Sequence, residues 1–232
     1  MSEVHTVIED EFPRRARARA ALDTDLYCIT AEEYSRGRSD VQVVAEILEA
    51  GVRLVQYRAK EKNASDKYRE CQEIRRLTRE ACATFIVNDH PDLAFMVEAD
   101  GVHLGQEDYP IEAVRQLVGQ AMIIGISTHS PLQAEDAIRR GADYIGVGPL
   151  FRTTTKKNVC EPVGLDYLDY AVSRVSIPFV AIGGIKVHTV SEVRRHGARC
   201  IALVTEIVGA SDIRRTISEI LAALKEGEAE AK

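Results

Sequence analysis

The sequence predicts a single (β/α)8 barrel, in which eight parallel strands alternate with helices, with a short N-terminal extension before it. The first observation is a repeated sequence pattern, in which a helix-like stretch ends near a glycine and a short apolar strand follows. The pattern occurs in the segments EAGVRLVQYR, EADGVHLGQED, RRGADYIGVGP and RHGARCIALVTE. A second is that the strands are short apolar runs, as expected for parallel strands buried on both faces. The third is the count, because eight strand–helix units in roughly 200 residues match a small barrel.

The N-terminal extension is predicted to span residues 1–22, and the barrel domain residues 23–232. The extension contains the Arg-rich segment PRRARARA, which is either a solvated leader or a helix that covers one end of the barrel. It lacks the charged-then-apolar order of a signal peptide.

The strands are predicted from their apolar runs, and helical periodicity fills most of the intervals between them. One helix is predicted from the apolar stripe that follows Asp40. A second is predicted to begin with Ser130 as its N-cap and Pro131 at the first helical position. The last helix is predicted to begin near Ile213, with Ser211 as its N-cap. The predicted strands begin near Leu26, Val52, Thr84, Gly101, Met122, Asp143, Pro178 and Arg199.

A doubly wound open sheet is the main alternative to the barrel. Its first strand is usually followed by a G-x-G-x-x-G fingerprint, and the segment LYCITAEEYSRGRSD contains none. The barrel is therefore favoured.

The bulk composition excludes several classes of protein. The chain has 232 residues and a net charge of −6, so no global basic field would attract nucleic acid. No apolar stretch approaches the roughly 18 residues needed to span a membrane. Five cysteines form no C-x-x-C pair, which argues against a metal cluster or a disulfide framework and favours a cytoplasmic protein.

In a barrel of this type, chemistry gathers where the strands end and the following loops begin. After strand 2, period-two alternation places Gln56, Arg58 and Lys60 on one face, which predicts an anion site. A solvated loop start is the alternative, but it explains only the charge and not the alternation.

Acidic residues follow strands 3 and 4, which are neighbours in the predicted barrel. Asp89 and Asp108 can therefore approach one another, and two carboxylates beside a cationic patch suit Mg²⁺. The alternative is that Pro91 and Pro110 each open a helix and that the acids complement its first turn.

The later strand ends predict a second anion site. Strand 5 ends at Ser127, and the loop after strand 6 supplies hydroxyls, glycines and Lys156, although a polar surface turn is also possible there. The Gly183-Gly184 pair after strand 7 and Val204-Thr205 after strand 8 occupy the positions where many barrels bind a substrate phosphate. Two anion sites indicate two phosphorylated substrates and group transfer with pyrophosphate as leaving group.

The chain from about Leu26 to Leu224 resembles the thiamine-phosphate synthase family of (β/α)8 enzymes. The resemblance rests on six motifs in order, QYRAK, FIVNDH, DGVHLGQED, GADYIGVGPLFRTTTKK, VAIGGI and IALVTEI. It implies a transferase of the thiamine-phosphate diphosphorylase type. Such an enzyme joins a hydroxymethylpyrimidine diphosphate to a hydroxyethylthiazole phosphate, or to its carboxylated form, and releases thiamine monophosphate and pyrophosphate.

The resemblance also implies roles for individual residues. Mg²⁺ would bind to Asp89 and Asp108, and catalysis would rest on Arg58, Lys60 and Lys156. The family's last motif usually ends in Val-Ser, whereas this chain has Val204-Thr205, which keeps the hydroxyl. The implied pyrimidine diphosphate site is Gln56, Arg58, Lys60, Asn88, Ser127 and Lys156. The implied thiazole phosphate site is Thr153, Thr155, Gly184, Val204 and Thr205.

The family is thought to react by dissociation of the pyrophosphate before the thiazole nitrogen attacks, which needs no protein nucleophile. The strand ends carry no evident Ser-His-Asp or Cys-His set, and His103 is expected in the core or behind the site. Two alternatives remain at this point: a thiazole tautomerase, which needs no diphosphate site, and a non-catalytic barrel that senses a phosphorylated ligand. We expect small-molecule partners and neither nucleic acid nor membrane, with a homo-oligomer possible.

Overall fold

The computed structural model is a closed barrel of eight parallel strands in the order β1 to β8, and it describes residues 13–153, 155 and 160–230. The prediction of a (β/α)8 barrel is confirmed. The strands are β1 Leu26–Ile29, β2 Leu54–Tyr57, β3 Thr84–Asn88, β4 Gly101–Leu104, β5 Ile123–Thr128, β6 Tyr144–Val147, β7 Phe179–Ile182 and β8 Cys200–Leu203.

Helices connect the strands on the outside of the barrel, and one helix precedes β1. A short 3-10 helix, Glu32–Tyr34, also follows β1. In chain order the α-helices are α1 Pro13–Ala20, α2 Asp40–Glu49, α3 Ala64–Glu80, α4 Pro91–Met96, α5 Ile111–Val118, α6 Pro131–Arg139, α7 Gly164–Arg174, α8 Val187–Arg195, α9 Thr205–Val208 and α10 Ile213–Glu230.

The predicted element boundaries agree closely with the observed ones. Three strands begin at the predicted residue, and the others begin one or two residues later. Ser130 caps α6 as predicted, since its side chain accepts a hydrogen bond from the backbone of Gln133. The predicted N-cap of the last helix was wrong: Asp212, one residue beyond Ser211, accepts from the backbone N–H of Arg215 at 2.9 Å. A carboxylate is also favoured there by the helix dipole.

The strands bury both faces, but the two faces belong to different apolar cores. Alternate strand residues such as Tyr27, Leu54 and Ile86 fill the barrel interior, together with Leu22 from the segment before β1. The intervening residues, such as Val55 and Phe85, pack against the helices outside. Period-two alternation therefore survives in strands whose sequences are almost uniformly apolar.

Glycine makes room for a large side chain in the barrel interior. A Cβ atom on Gly125 would lie 2.1 Å from the ring of Tyr144 on the neighbouring strand. The fully buried Tyr144 can therefore occupy the centre of the barrel only because β5 has no side chain at that position.

Two buried aspartates hold the amino-terminal end of the barrel closed. Asp143, just before β6, accepts from Arg15 at 2.7 Å, from Arg115 at 2.6 Å and from the backbone N–H of Ile124 at 2.8 Å. Because the three donors come from α1, α5 and β5, one carboxylate joins the first helix to the barrel.

Asp100, just before β4, repeats this arrangement. It binds Arg75 of α3 at 2.7 Å and accepts from the backbone N–H of Phe85 at 3.0 Å, and Arg14 lies 3.6 Å away. Residues 13–22 of the predicted extension are thus a helix and turn that cover one end of the barrel, and the alternative of a solvated leader does not apply to them. Residues 1–12 lie outside the described part of the chain.

Within the ranges that the structure describes, we find no helix that is both long enough and apolar enough to cross a lipid bilayer.

We predict that Asp143→Ala lowers the free energy of unfolding by about 3 to 5 kcal/mol, because it leaves two largely buried guanidinium groups without their counter-charge. Urea denaturation followed by circular dichroism measures the change. The matched control is Asp136→Ala, whose side chain is 43% exposed and pairs with Arg139 and Arg140 on the surface. The control should change stability by about 1 kcal/mol or less. Equal effects in the two variants would contradict the structural role of Asp143.

Candidate active site at the barrel mouth

A cavity of about 430 Å³ opens at the carboxyl-terminal ends of the strands. This is the end where the sequence predicts the chemistry, and nine of the predicted residues lie on its wall. They are Gln56, Arg58, Asn88, Ser127, Thr153, Thr155, Gly184, Val204 and Thr205. Lys60, Asp89 and Asp108 lie outside this wall, and Lys156 lies outside the residues that the structure describes.

Arg58 is a buried cation without adequate partners. The residue is only 5% exposed, and its Nε and Nη1 atoms make no hydrogen bond to any described residue. Its nearest acid is Glu33, 3.8 Å from Nη1, and Thr30 accepts only from the Arg58 backbone. Leaving charged donors unsatisfied in a buried position is costly, and an anionic ligand in the cavity would supply the missing acceptors.

The two predicted metal ligands meet beside Lys60. The Asp89 and Asp108 side chains are neighbours: burial is the main cause that raises the pKa of Asp108, and the nearby Asp89 raises it further. Lys60 Nζ lies 3.5 Å from Asp89 Oδ2. Two carboxylates that share a space and repel each other as anions form a suitable donor pair for a divalent cation.

The backbone brings these two acids together at the expense of local strain. Asp89 has a φ of +62°, a left-handed conformation that non-glycine residues adopt rarely and that aspartate tolerates better than most. Its backbone N–H donates to the carbonyl of His103 on β4 at 2.9 Å. Asp108 Oδ2 accepts from the backbone N–H of Gly105 at 2.6 Å, which closes the turn after β4. Strain of this kind is concentrated at functional sites.

The prolines after these acids have different positions. Pro91 is the first residue of α4, as the helix-capping alternative requires, but Pro110 is the N-cap of α5 rather than its first residue. His90 occupies the N-cap position of α4 without a capping hydrogen bond from its side chain. Its Nε2 atom lies 2.8 Å from Lys67 Nζ, and burial together with this lysine lowers the pKa of His90. His90 is therefore held as a neutral acceptor.

A chain of hydrogen bonds forms the polar floor of the cavity. Gln56 Nε2 donates to the hydroxyl of Tyr27 at 2.7 Å, and that hydroxyl lies 3.3 Å from the hydroxyl of Tyr144. Tyr144 lies 3.0 Å from His103 Nδ1, and His103 Nε2 lies 2.9 Å from Ser127 Oγ. Burial raises the pKa of both tyrosines, so their hydroxyls stay protonated.

The sequence reasoning missed this floor. It placed His103 in the core or behind the site, whereas the ring lines the cavity. The available signal was the alternation along GVHL, which puts His103 on the same face of β4 as Gly101 and hence inside the barrel. Nothing local in the sequence marked Tyr27 or Tyr144, because their contact joins strands that are distant in the chain.

The glycine pair after β7 supports the loop that follows β6. A Cβ on Gly183 would lie 2.4 Å from Cα of Pro149, and one on Gly184 would lie 2.5 Å from the carbonyl oxygen of Arg152. Both glycines also have positive φ, +99° and +67°. The backbone N–H of Phe151 donates to the Gly183 carbonyl at 2.9 Å, which fixes this loop against β7.

This loop and the end of β8 add hydroxyl groups to the cavity wall. Thr153 Oγ1 lies 3.1 Å from Thr155 Oγ1. Thr205 begins the short helix α9, and its Oγ1 lies 3.5 Å from Lys186 Nζ. The residues predicted for the second anion site therefore lie on the cavity wall, in the loops after strands 6, 7 and 8.

An acidic cluster lies behind the loop that carries Arg58 and Lys60. Carboxylate oxygens of Glu32, Asp40 and Glu70 lie within 4.8 Å of one another, the one such metal-ligand group among the described residues. The ammonium of Lys62 is already bound there: it pairs with Glu32, with Glu70 at 2.5 Å and with Asp40 at 3.2 Å. The cluster therefore holds the loop in place through a lysine and is not a candidate metal site.

Comparison with protein families gives a match along most of the chain. The model of the thiamine monophosphate synthase family matches residues 26–207, which span all eight strands.

Individual relatives carry the same description. A thiamine-phosphate synthase of Pelotomaculum thermopropionicum is 59% identical over 93% of this chain and 99% of its own length. One from Lawsonia intracellularis is 55% identical over 88% of this chain and 94% of its own. Among solved structures, a thiamine phosphate pyrophosphorylase from Pyrococcus furiosus superposes with a TM-score of 0.82 at 36% identity, covering 90% of this chain and 99% of that one.

The acidic cluster yields a prediction about pH and stability. Burial raises the pKa of Asp40 to about 6, whereas an unfolded aspartate titrates near 4. Between about pH 4 and pH 6, folding is therefore accompanied by the uptake of a proton by Asp40. The contribution of this protonated carboxyl group to stability is fully present below about pH 4 and is lost as the pH rises through about 6. We expect the free energy of unfolding of the wild type, relative to Asp40→Asn, to fall by up to about 3 kcal/mol between pH 4 and 7.5.

Urea denaturation at several pH values measures this difference. Asp136→Asn, at an exposed position of α6, is the control and should give a much flatter difference. A difference for Asp40→Asn that does not change with pH, or that grows as the pH rises, would contradict the raised pKa.

Proposed function

The chain belongs to the thiamine monophosphate synthase family, transferases of thiamine biosynthesis that act on small phosphorylated substrates, and from this premise we propose a specific reaction and site. The substrates are a hydroxymethylpyrimidine diphosphate and a hydroxyethylthiazole phosphate or its carboxylated form, and the products are thiamine monophosphate and pyrophosphate. Family membership and the two anion sites disfavour both alternatives raised from the sequence, the tautomerase and the non-catalytic sensor.

The observation that carries the proposal is the buried guanidinium of Arg58 on the cavity wall, with two nitrogens that make no hydrogen bond within the described chain. A diphosphate would supply the negative charge and the acceptor oxygens that the Arg58 guanidinium needs as partners. Gln56, Asn88 and Ser127 lie on the same wall and complete the pyrimidine diphosphate site, and Lys60 and Lys156 add positive charge.

Asp89 and Asp108 are the residues that would hold Mg²⁺. The two side chains are neighbours and offer hard oxygen donors, and a divalent cation would offset the charge repulsion that helps to raise the pKa of Asp108. A bound Mg²⁺ would neutralise charge on the diphosphate and so favour its departure. Lys60, 3.5 Å from Asp89, would contribute to the same charge balance from the protein side.

We propose that the reaction is dissociative: the bond between the pyrimidine methylene and the pyrophosphate oxygen breaks first, and the thiazole nitrogen then captures the cation. The protein contributes position and preorganised charge in such a reaction and needs no nucleophile. Ser127 contacts Nε2 of His103, and Nδ1 of this histidine lies 3.0 Å from the neutral hydroxyl of Tyr144. We therefore propose that Ser127, His103 and Tyr144 form a fixed polar surface on which the pyrimidine binds.

The second substrate's phosphate would bind across the cavity on Thr153, Thr155, Gly184, Val204 and Thr205. A cytoplasmic location is part of the proposal and is supported by the five unpaired cysteines. A pyrophosphate-release assay with the two substrates tests the reaction itself, and its failure with purified protein would reject the proposal.

We predict that Arg58→Ala lowers kcat by about a hundredfold or more, the equivalent of about 3 kcal/mol of barrier, because it removes preorganised charge at the leaving group. Its free energy of unfolding should not fall, since the variant loses a buried cation of which two nitrogens make no hydrogen bond to the described residues. Lys156→Ala should lower kcat in the same direction. Pyrophosphate release and urea denaturation measure the two effects.

Arg215→Ala is the control for the loss of one positive charge, because this residue lies on α10 with its side chain 78% exposed. The control should retain wild-type turnover. Near-normal turnover by Arg58→Ala would contradict the assignment of Arg58 to the diphosphate site.

We predict that EDTA stops the reaction and that added Mg²⁺ restores it. Asp108→Asn should require a higher Mg²⁺ concentration for half-maximal activity, because an amide cannot replace the charge of the carboxylate. Isothermal titration of Mg²⁺ in the presence of pyrophosphate supplies a readout that does not depend on turnover. Activity that is indifferent to chelation would reject the metal role of this pair.

A further inference from the structure

Lys186 is a cation on the cavity wall that the proposed site does not yet use. It follows Gly183, Gly184 and Ile185 after β7, immediately before α8. Its Nζ atom lies 3.5 Å from Thr205 Oγ1, one of the hydroxyls proposed to bind the thiazole phosphate. It also lies 2.8 Å from Glu206 Oε2, the only acid that an ion-pair contact assigns to it among the described residues.

The proposed phosphate site is otherwise uncharged. Its five residues are threonines, a glycine and a valine, whereas a phosphate monoester carries a charge of about −1.5 to −2 at pH 7. Of the other two cations on the cavity wall, Arg58 belongs to the diphosphate side, and Arg152 has an exposed side chain. Lys186 is the cation that already contacts a proposed phosphate-binding hydroxyl.

The surrounding contacts hold Lys186 in this position. Glu206 Oε1 accepts from the backbone N–H of Val187 at 3.3 Å while Oε2 accepts from the lysine ammonium, so one carboxylate fixes both the backbone and the side chain. The Lys186 backbone N–H donates to Thr189 Oγ1 at 2.9 Å, which ties the residue to the first turn of α8. An ammonium has three donors, and contacts to Glu206 and Thr205 account for two of them within the described chain.

We propose that Lys186 is a substrate-binding residue for the phosphate of the second substrate and determines the preference for the phosphorylated over the unphosphorylated thiazole. Lys186 donates to the phosphate from the side of Thr205, and Glu206 holds the ammonium in place before the substrate binds. This assignment rests on the proposed function, because it names a further contact of the same phosphate site.

The experiment compares two acceptor substrates, the hydroxyethylthiazole phosphate and the corresponding alcohol, in the wild type and in Lys186→Ala. Loss of a charge-assisted hydrogen bond should lower kcat/KM for the phosphate roughly ten- to hundredfold and leave kcat/KM for the alcohol unchanged. The KM for the pyrimidine diphosphate should also stay unchanged. Lys186→Arg, which keeps the charge, should recover most of the preference for the phosphate.

Lys225→Ala is the matched control, since it removes one positive charge from an exposed position of α10 and should alter neither substrate. A similar loss with the phosphate and the alcohol in Lys186→Ala would overturn the proposal, because it would mean that the lysine only ties the loops after β7 and β8 through Glu206. No loss with the phosphate would overturn it as well.

A calorimetric titration separates failure of this inference from failure of the proposed function. Inorganic phosphate is titrated into the wild type and into Lys186→Ala, with no turnover required. Weaker phosphate binding by the variant supports the inference even if the wild type releases no pyrophosphate, which would reject the reaction alone. Equal binding by the two proteins overturns the inference.

Discussion

Closure of eight short parallel strands is the constraint on which the rest of the structure depends. Because the strands are only four to six residues long and both of their faces are buried, polar side chains are confined to the strand ends and to the positions that face the cavity. The two ends of the barrel then have different environments. Asp100 and Asp143, at the amino-terminal end, are enclosed by arginines and stabilise the fold. Asp89 and Asp108, at the other end, meet each other and Lys60, and remain open to a ligand.

The loops at the mouth of the barrel contain several features that lower the stability of the fold. Two nitrogens of the buried Arg58 make no hydrogen bond to the described residues, Asp89 has a left-handed backbone, and burial raises the pKa of Asp40 to about 6. None of these features would stabilise an isolated fold. All three lie on or beside the loops that follow β1, β2 and β3, which is the side proposed for the diphosphate. The stability needed to tolerate them comes from the barrel interior and from the ion pairs at the opposite end.

The sequence was sufficient for the fold and for those site residues whose position follows from alternation or strand order. Gln56 and Arg58 share a face because they are two residues apart, and Asp89 meets Asp108 because β3 and β4 are neighbours. What could not be predicted depends on contacts between distant positions. The acidic cluster around Lys62 joins three segments of the chain, and Tyr27 contacts Tyr144 across the barrel interior. No local sequence pattern marks the cluster or the tyrosine pair. The cap of the last helix was misplaced because Ser211 and Asp212 are both good N-cap residues and only the geometry distinguishes them.

The two proposed substrate sites share one structural support, the contact between the loop after β6 and the end of β7. Backbone hydrogen bonds from Leu150 and Phe151 to the carbonyls of Ile182 and Gly183 fix the start of this loop, and the glycine pair permits the close approach. From that anchor the chain carries Thr153 and Thr155 on the proposed thiazole phosphate side before it continues to Lys156, which the family resemblance assigns to the diphosphate. Gly183 and Gly184 therefore have a structural role in addition to the phosphate contact proposed for Gly184. A side chain at either position would displace the loop from which both proposed substrate sites take residues.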